Sequence, residues 1–393
     1  MKKIASLVLG ACMLLASVTP VRAGGNLDDF DFTGFDQPFT GLFVARVVGI
    51  HWDTRQIPVQ FTMNTSLDPI PNSLNLSAAG AQTALQASMD TWNNVPTSFI
   101  EMNITGTTTK TEPAGFDQIN ELTFGSPVPS FALAISVATT LSLDLTFVDG
   151  EDLDLDGDPD VSGAINTAAD VDGDGDIELP AGFYKAGTVL DNDVLFKTSS
   201  AHWTDDPANV TGDPTRVDLQ SIATHELGHA HGLSHSMFNV LTDGTGATMY
   251  PFVNFFDANV ELSQRSLSSD DIAWSSYLYP EGTATSGPAA LQPGDVAFDS
   301  VYGLIKGELR HGVLNQPIAG GSISAINWDT NTAISGGYSG HTQYLADFST
   351  GQLVLINDPT FHIRDGEYVI PVPKGHYAVG VEPLDGTPVS ADR

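Results

Sequence analysis

Eleven residues near the middle of the chain have the types and spacing of a catalytic zinc site, in the pattern H-E-x-x-H-x-x-G-x-x-H. His225 and His229 lie four residues apart, so on a helix they share one face and can bind the same zinc ion. Glu226 then lies beside the open position of the metal, where its carboxylate can accept a proton from zinc-bound water. Gly232 can end the helix because glycine adopts the left-handed conformation at little steric cost, and the turn returns His235 as a third ligand. Three protein ligands leave the fourth position for water, which is typical of a catalytic zinc site.

The residues before the motif predict the helix that must carry it. Apolar residues at helical spacing predict that one face of this helix is buried in the core: Val217, Leu219, Ile222, Ala223 and Leu227. His231 is the remaining histidine of the motif, and it falls about 160° from the midpoint of the ligand face. We therefore predict that His231 lies at the surface or behind the ligands and does not bind the metal.

Two acidic segments follow one another between residues 152 and 178, and each places alternate aspartates around a glycine. Alternate carboxylates that converge on a glycine turn form an oxygen cage for Ca²⁺. Both segments lack the bidentate glutamate of a full EF-hand, because Gly163 and Ala181 stand at the twelfth positions. A solvated acidic loop is the alternative, but so many carboxylates repel one another unless a cation neutralises them. We predict structural calcium, with these candidate ligands: Asp152, Asp154, Asp156, Asp158, Asp160, Asp170, Asp172, Asp174, Asp176 and Glu178.

The start of the chain reads as an export signal. Lys2 and Lys3 precede an apolar run, and Val21-Arg22-Ala23 forms a small-residue cleavage site, so residues 1–23 are predicted to be a signal peptide. The apolar run is too short for a membrane span. A lipoprotein box at Cys12 is the alternative, although the residues after Cys12 stay apolar where a lipoprotein would turn polar. We predict a secreted or extracellular protein, with the periplasm or the cell surface as further possibilities.

Length and charge restrict the possible partners. The chain has 393 residues, more than one compact domain usually holds, so two domains are expected. The formal net charge of −33 excludes nucleic acids and anionic membranes as natural partners. A net negative charge of this size is expected of a chain that binds cations. Adaptation to a salt-rich habitat would produce the same net charge. Cys12 is the only cysteine and would leave with the signal, so the exported protein would contain no disulfide.

Apolar periodicity predicts further elements before the motif. Ser77 would cap a helix in which Ala81, Leu85, Met89 and Trp92 recur at helical spacing, with Trp92 in the core. Alternating apolar segments predict strands within these ranges: 43–61, 99–104 and 119–124.

The regions on either side of the zinc motif predict further secondary structure. Residues 187–196 predict an edge strand, with which an extended substrate could pair by backbone hydrogen bonds. His202 is predicted to be a surface residue, because a lone histidine is more often exposed than a metal ligand. Residues 246–251 predict a tight turn, and Ser268 would cap a helix that ends at Leu278.

The zinc motif together with Ala247-Thr248-Met249-Tyr250-Pro251 resembles the metzincins and, within them, the matrixins. The resemblance covers about residues 43–280, with these supporting segments: Trp52–Phe61, the helix that ends at Trp92, His235-Ser236, Leu267–Ile272 and Leu278-Tyr279-Pro280. It implies an α+β catalytic domain with a twisted, mostly parallel mixed sheet, a backing helix and the zinc-binding helix below the cleft. It also implies that Met249 forms a hydrophobic floor under the three histidines.

The sequence departs from the matrixin pattern in three ways. After removal of the predicted signal with Cys12, no cysteine precedes the catalytic domain to block the zinc, and an aspartate from the Gly-, Asp- and Phe-rich arm or short pro-segment at 24–42 is the alternative. The histidine-containing loop for a second zinc ion is not recognisable, and the acidic segments occupy that region. The resemblance places the substrate pocket at Tyr250, Pro251, Phe252 and Val253, but Phe252-Val253 replaces the family's tyrosine-bearing wall, so the shape of the pocket stays open.

The last hundred residues predict a second, all-β domain. Residues 281–298 have the composition of a linker, and residues 299–393 alternate between strands and Gly, Asn or Asp turns. The predicted strands are 301–309, 318–328, 353–357 and 377–381. Several segments resemble the transthyretin-like β-sandwich of secreted enzymes: Val301–Gly307, Pro317–Gly321, Gly366–Tyr368 and Pro373–Tyr377. No catalytic set is visible there, so we expect a stabilising, docking or surface-binding role.

These features together predict a secreted zinc endopeptidase with catalytic zinc and structural calcium. Its partners would be protein or peptide substrates, and it would be a monomer without stable membrane insertion. The alternative is a calcium-dependent extracellular binding or adhesion protein with a vestigial zinc site. A third possibility is an enzyme that removes only its own N-terminal arm.

Overall fold

The structure is a computed structural model of the chain. It describes residues 19–20, 42–43 and 50–383, apart from these gaps: 112–116, 126–127, 129–131, 142–144, 154–156, 166, 172–176, 186, 200–201, 239–245, 254–256, 319–320, 340–343, 348–351 and 356–365. The predicted signal at 1–23 and the predicted arm at 24–42 therefore lie almost entirely outside the described residues.

The described regions contain strands throughout and helices in the first three quarters of the chain. The strands are β1 (Thr19–Pro20), β2 (Leu42–Phe43), β3 (Val59–Asn64), β4 (Met102–Thr108), β5 (Glu121–Gly125), β6 (Ala134–Thr140), β7 (Leu145–Phe147), β8 (Val161–Ser162), β9 (Leu179–Pro180), β10 (Gly182–Tyr184), β11 (Val189–Lys197), β12 (His202–Thr204), β13 (Arg216–Asp218), β14 (Tyr302–Glu308), β15 (Gly321–Asn327), β16 (Thr332–Tyr338), β17 (Tyr344–Asp347), β18 (Gln352–Leu355), β19 (Glu367–Pro373) and β20 (Tyr377–Pro383). The α-helices are α1 (Ala78–Asn93), α2 (Leu219–His231), α3 (Ala258–Ser263), α4 (Ser269–Leu278) and α5 (Phe298–Val301), with short 3-10 helices at Thr54–Gln56 and Pro207–Asn209. None of the described helices has the length and apolar content that a membrane span requires.

A six-stranded mixed sheet supports the zinc motif, in the order β1-β6-β11-β5-β3-β4. Strands β4, β3, β5 and β11 pair in parallel, whereas β6 runs antiparallel to β11. Two helices, α1 and α2, pack against each other, and side chains of both join the core that includes the sheet. This arrangement confirms the predicted α+β class with its mixed sheet and backing helix.

The prediction of an edge strand at residues 187–196 is wrong. Strand β11 lies inside the sheet, since Val194 pairs with Leu122 of β5 on one side and with Ser136 of β6 on the other. All nine residues of β11 are buried, as expected of a strand with neighbours on both sides. The strand that borders the zinc helix near the edge of the sheet is β6, and within the described part of the chain only the two residues of β1 pair with its other side.

The helix predicted after Ser77 is confirmed. The Ser77 hydroxyl accepts a hydrogen bond from the Gly80 N–H at 3.0 Å, which satisfies one of the free donors at the start of α1. The predicted apolar stripe is buried and joins the main core. Trp92 ends this stripe, and its indole N–H donates to the Thr224 carbonyl of α2 at 2.9 Å. This bond ties the backing helix to the helix that carries the zinc motif.

The segment between β6 and β11, which holds the acidic residues, has a small apolar core of its own that includes Phe147, Leu153 and Tyr184. Arg55 attaches this segment to the main domain. Its guanidinium donates to the Phe183 carbonyl at 2.8 Å and lies 4.0 Å from the centre of the Tyr184 ring. Arg55 therefore anchors the acidic segment beside the sheet through both the Phe183 carbonyl and the Tyr184 ring.

Beyond α4 the described chain is mainly β-structure, and we call residues 302–383 the C-terminal β-region. Strands β14 and β19 form an antiparallel pair, and β16-β15-β20 forms a second antiparallel sheet. Buried residues of both sheets share one apolar cluster: Ile323, Ala325, Ile370 and Val372. Residues 281–298 were predicted as a linker. This segment contacts the first domain, since the Glu281 N–H donates to the Thr97 carbonyl and the Val296 N–H donates to the Pro96 carbonyl.

Candidate active site

Helix α2 ends at Gly232 as predicted, but it begins at Leu219, so Val217 of the predicted helical face lies in strand β13 instead. Asp218 caps its first turn by accepting a hydrogen bond from the Ser221 N–H at 2.8 Å. Gly232 ends the helix with a φ of 104°, in the left-handed region. A Cβ at this position would lie 2.4 Å from the Ile50 carbonyl oxygen, so both the backbone angle and the packing require glycine. The Leu233 N–H then donates to the Gly228 carbonyl at 2.9 Å, which closes the turn that leads to His235.

The three predicted ligands meet at their Nε2 atoms. The separations are 3.2 Å between His225 and His229, 3.1 Å between His229 and His235, and 3.1 Å between His235 and His225. A tetrahedral zinc ion with Zn–N bonds of about 2.0–2.1 Å separates its ligand nitrogens by about 3.3 Å. The three imidazoles therefore have the spacing of a zinc site. Among the described residues, this is the only group of three or more histidine, cysteine or acidic side chains close enough to hold one metal ion.

Backbone carbonyls orient two of these rings. The Nδ1 atom of His225 lies 2.6 Å from the Thr248 carbonyl oxygen, and that of His229 lies 2.8 Å from the Leu233 carbonyl oxygen. A carbonyl oxygen can only accept, so each Nδ1 carries the hydrogen and each Nε2 keeps its lone pair for a metal.

The surroundings also keep the rings neutral. Burial lowers the pKa of His229 and of His235 well below the usual histidine value, and the neighbouring imidazoles lower them further. Only a neutral imidazole can donate a lone pair, so protons do not compete strongly for this site near neutral pH.

Glu226 lies beside the three histidines with only 7 % of its surface exposed. Burial raises the pKa of its carboxyl group to about 8, and a hydrogen bond from the Ser136 backbone works in the opposite direction. This contact places Glu226 against β6, the strand near the edge of the sheet. Ser136 was not predicted as a site residue, although the alternating pattern of residues 134–140 could have indicated a half-buried strand.

The placement of His231 at the surface is wrong. Its side chain is fully buried, with its ring centre 5.0 Å from that of Trp92 and 4.8 Å from that of Tyr279. Neither ring nitrogen has a hydrogen-bond partner among the described residues. The helix is covered on this face by α1 and by the chain after α4, which the local pattern around His231 does not reveal. Burial lowers the pKa of His231 to about 3.

This burial predicts a pH effect on stability. The folded pKa of His231 lies below the unfolded value, so its contribution to stability is present above about pH 6.5 and is lost as the pH falls toward about 3. In that range a His231→Phe variant should lose stability less steeply than the unmodified protein, by up to about 1.4 kcal/mol per pH unit. Urea unfolding of the metal-free proteins at several pH values measures both slopes. His202 is exposed, so His202→Gln is the matched control, and equal slopes for all three proteins would contradict the prediction.

The turn after the motif supports the ligands from below. Asp271 accepts hydrogen bonds from the N–H groups of Thr248 at 2.8 Å and Met249 at 3.1 Å, which holds the turn against α4. Met249 is 2 % exposed. A Cβ added to Gly228 would lie 2.2 Å from the Met249 sulfur, so the thioether packs directly against the backbone of the zinc helix. The roles of Gly228 and Asp271 were not predicted from the sequence, because both depend on this contact between distant segments.

Comparison with known proteins agrees with this geometry. The sequence profile of the matrixin family matches residues 70–280, which is more than half of the chain. The chain belongs to the matrixin family. It is similar to stromelysin-1 of Mus musculus, with 34% identity over 118 residues. The match covers 30% of this chain and 21% of stromelysin-1, so the chain spans about a fifth of the length of that relative.

In this matrixin, the residues predicted to form the substrate pocket differ in how far they are exposed. Tyr250 is nearly buried, whereas Phe252 is 46% exposed, and their ring centres lie 6.0 Å apart. Val253 packs against the main core, and Pro251 is half-buried. The part that these residues play in substrate binding stays a prediction.

The acidic residues of the matrixin are described only in part. Asp154, Asp156, Asp172, Asp174 and Asp176 lie outside the described residues. Of the remaining candidates, Asp152 is half-buried, Asp158 and Asp170 are exposed, and Asp160 and Glu178 are buried: their exposed fractions are 2% and 4%.

The two acidic segments have the same local structure at their ends. Asp160 and Glu178 each stand eight residues after the first aspartate of their segment, and each is followed by a short strand, β8 or β9. Asp160 accepts a hydrogen bond from the Leu153 N–H, and Glu178 accepts one from the Val171 N–H. In both segments, the buried carboxylate therefore accepts a hydrogen bond from the N–H of the second residue, so the described ends of the two segments have the same local arrangement.

Proposed function

We propose that this matrixin is a secreted zinc-dependent endopeptidase. The observation that carries the proposal is the triangle of Nε2 atoms, with separations of 3.1–3.2 Å, next to the buried carboxylate of Glu226. His225, His229 and His235 would hold the zinc ion, with one position left for water and substrate. The proposal of secretion rests on the composition of residues 1–23.

Each residue of the site has a separate task in this mechanism. Zinc, when bound, supplies Lewis-acid chemistry that lowers the pKa of water and polarises the scissile carbonyl. Glu226 removes a proton from the attacking water and passes it to the leaving amine. Burial in the metal-free site raises the pKa of its carboxyl group to about 8, and the charge of a bound zinc ion would favour the ionised form, which is the form that accepts the proton. Met249 keeps the floor of the site apolar and holds the helix in position.

Strand β6 is the part of the sheet best placed to align a substrate. It borders Glu226 through Ser136, and it has free edge positions beyond its short pairing with β1 among the described residues. An extended peptide can add to such an edge through backbone hydrogen bonds, which align it without selecting a sequence. This fits proteins or unstructured peptides as the substrate class.

The experiment that tests this function is peptide-library cleavage by the purified protein, with zinc content measured on the same sample. We expect cleavage that disappears with a zinc chelator and returns when zinc is added. A protein that binds zinc in stoichiometric amounts but cleaves neither library peptides nor casein would support a binding protein instead. Mass spectrometry over time distinguishes an endopeptidase from an enzyme that cuts only its own arm.

We also propose that the acidic segments bind structural calcium. The support is the repeated arrangement of Asp160 and Glu178, two buried carboxylates in a chain whose net charge is −33. A bound calcium ion would neutralise the negative charge of the neighbouring aspartates and hold the two segments together.

Calcium should therefore raise the unfolding temperature. At a free concentration of 100 times the dissociation constant, one site adds about 2.7 kcal/mol to the free energy of unfolding. Thermal unfolding with calcium and with a calcium chelator measures the difference. The variants Asp160→Asn and Glu178→Gln should each reduce the shift, whereas the exposed Asp329→Asn should keep it. An unfolding temperature that does not depend on calcium would contradict the proposal.

A further inference from the structure

A buried carboxylate, Asp270, connects the zinc site to the C-terminal β-region. It lies in the first turn of α4 and is 4% exposed. One of its oxygens accepts a hydrogen bond from the Ser236 hydroxyl at 2.5 Å. The other accepts one from the Gly336 N–H of strand β16 at 2.9 Å. The same carboxylate is thus shared between two segments that lie about a hundred residues apart.

The first of these segments belongs to the zinc site. Ser236 directly follows His235, the third predicted ligand, and its N–H donates to the Met249 carbonyl at 2.7 Å. Its hydroxyl also accepts a bond from the Phe238 N–H at 3.3 Å. Ser236 therefore determines where the chain runs as it leaves His235, and Asp270 holds Ser236.

The second segment is held firmly against α4. The indole N–H of Trp274 donates to the Gly336 carbonyl at 2.7 Å, and the Ser269 hydroxyl donates to the Ile334 carbonyl at 2.7 Å. Both bonds join one helix to one strand, and the peptide of Gly336 also donates its N–H to Asp270.

Strand β16 also packs closely against the loop after the zinc motif. A Cβ added to Gly336 would lie 2.9 Å from the terminal methyl group of Met237 and 3.0 Å from the Ile323 carbonyl oxygen. Met237 stands two residues after His235, and its sulfur lies 2.9 Å from the Ser322 hydroxyl of β15. The loop that carries the third ligand is thus in contact with the C-terminal β-region at two places.

We propose that the C-terminal β-region is a structural part of the zinc site, with Asp270 as the positioning residue that links strand β16 to Ser236 and so to His235. A carboxylate can accept both bonds, whereas a neutral amide offers one acceptor and one donor pair. Without β16, Asp270 would keep a buried oxygen without its donor, and Ser236 would lose its fixed partner. The inference rests on the proposed zinc site, but not on peptidase activity.

The test measures zinc affinity in the full chain. Zinc dissociation constants are determined in chelator-buffered zinc for Ser236→Ala, Asp270→Asn and Gly336→Ala. Each change should raise the dissociation constant about tenfold, the lower range for residues that orient metal ligands. At limiting zinc, kcat should fall and KM should stay unchanged, and excess zinc should restore kcat. A general loss of structure would not be reversed in this way.

The matched control is Ser269→Ala, which removes a bond from the same helix to the same strand but leaves Asp270 intact. It should bind zinc with unchanged affinity. Gly336→Ala keeps the backbone N–H, but its new Cβ would collide with Met237 and with the Ile323 carbonyl and so displace β16 from Asp270. A double variant of Ser236→Ala and Gly336→Ala should be weaker by less than the product of the two single effects, because both disturb the same segment after His235.

The readout separates this inference from the proposed function. A protein without peptidase activity can still show the zinc-affinity changes, and it would then support the link while refuting the endopeptidase. Unchanged zinc affinity in folded Ser236→Ala would overturn the role of the Asp270–Ser236 bond. A loss in Ser236→Ala but not in Gly336→Ala would overturn the part assigned to β16. If Asp270→Asn does not fold, the other two variants decide the question.

Discussion

Replacing Glu226 with Gln should lower kcat/KM for a peptide substrate by about 10³- to 10⁴-fold while the zinc content stays the same. An amide has nearly the shape of the carboxylate but cannot accept the proton of the attacking water, and general-base catalysis contributes about 10²- to 10⁴-fold. The upper part of this range is expected because Glu226 is buried beside the three histidines, where no other described carboxylate joins the ligand group. A buried neutral amide costs no more desolvation than the carboxyl group that it replaces, so the fold should not be destabilised.

The measurement is the cleavage rate of a fluorogenic peptide, with zinc determined by elemental analysis on the same sample. Glu226→Ala should behave in the same way, with zinc retained and cleavage lost. His202→Gln is a control, since His202 is exposed on β12 and its replacement should leave both readouts unchanged. Full activity in zinc-loaded Glu226→Gln would refute the role of Glu226 as the base.

Replacing Gly232 with Ala should destabilise the protein and weaken zinc binding together. An L-residue in the left-handed region costs about 1–2 kcal/mol. In addition, the new Cβ would lie 2.4 Å from the Ile50 carbonyl oxygen, so the backbone of one segment must move. We expect a total loss of about 3 kcal/mol in the free energy of unfolding. Because the turn at Gly232 directs the chain to His235, zinc affinity should fall about tenfold or more.

Gly287 offers a matched control for this change. Its φ is 80°, and no atom lies within 4 Å of the position that a Cβ would take. Gly287→Ala therefore introduces the backbone strain without the collision, and it lies outside the zinc site. Urea unfolding should show the larger loss in Gly232→Ala, and only that variant should bind zinc more weakly. Equal losses in the two variants would show that the contact with Ile50 does not matter.

The zinc motif could be recognised from the sequence because its geometry is local. On a helix, a spacing of four residues places His225 and His229 on one face, and a glycine at 232 permits the turn that leads to His235. Local hydrogen bonds also explain why the starts of α1 and α4 were predictable: Ser77 and Ser268 cap helices within three residues of themselves. The family resemblance drawn from these residues is confirmed by the matrixin profile over residues 70–280.

The position of β11 was predicted wrongly, and so was the surface position, one of the two predicted for His231; both errors have one cause. Neither is a property of a short segment. A strand becomes central only when another strand pairs on its far side, as β6 does with β11. Likewise, His231 is buried because Trp92 and Tyr279 pack against it from distant parts of the chain.

The sequence by itself therefore determined the helix, its end, the three candidate ligands and the base, because these depend on spacing within a few residues and on backbone conformations that few residue types adopt. Only the tertiary structure decided which strand faces Glu226, what covers His231, and that Asp270 joins Ser236 to β16. Those contacts depend on which distant segments pack together, and many sequences with the same local patterns could pack differently. A buried carboxylate that accepts hydrogen bonds from two separate segments exists only in the assembled core, so it cannot be predicted from a local sequence pattern.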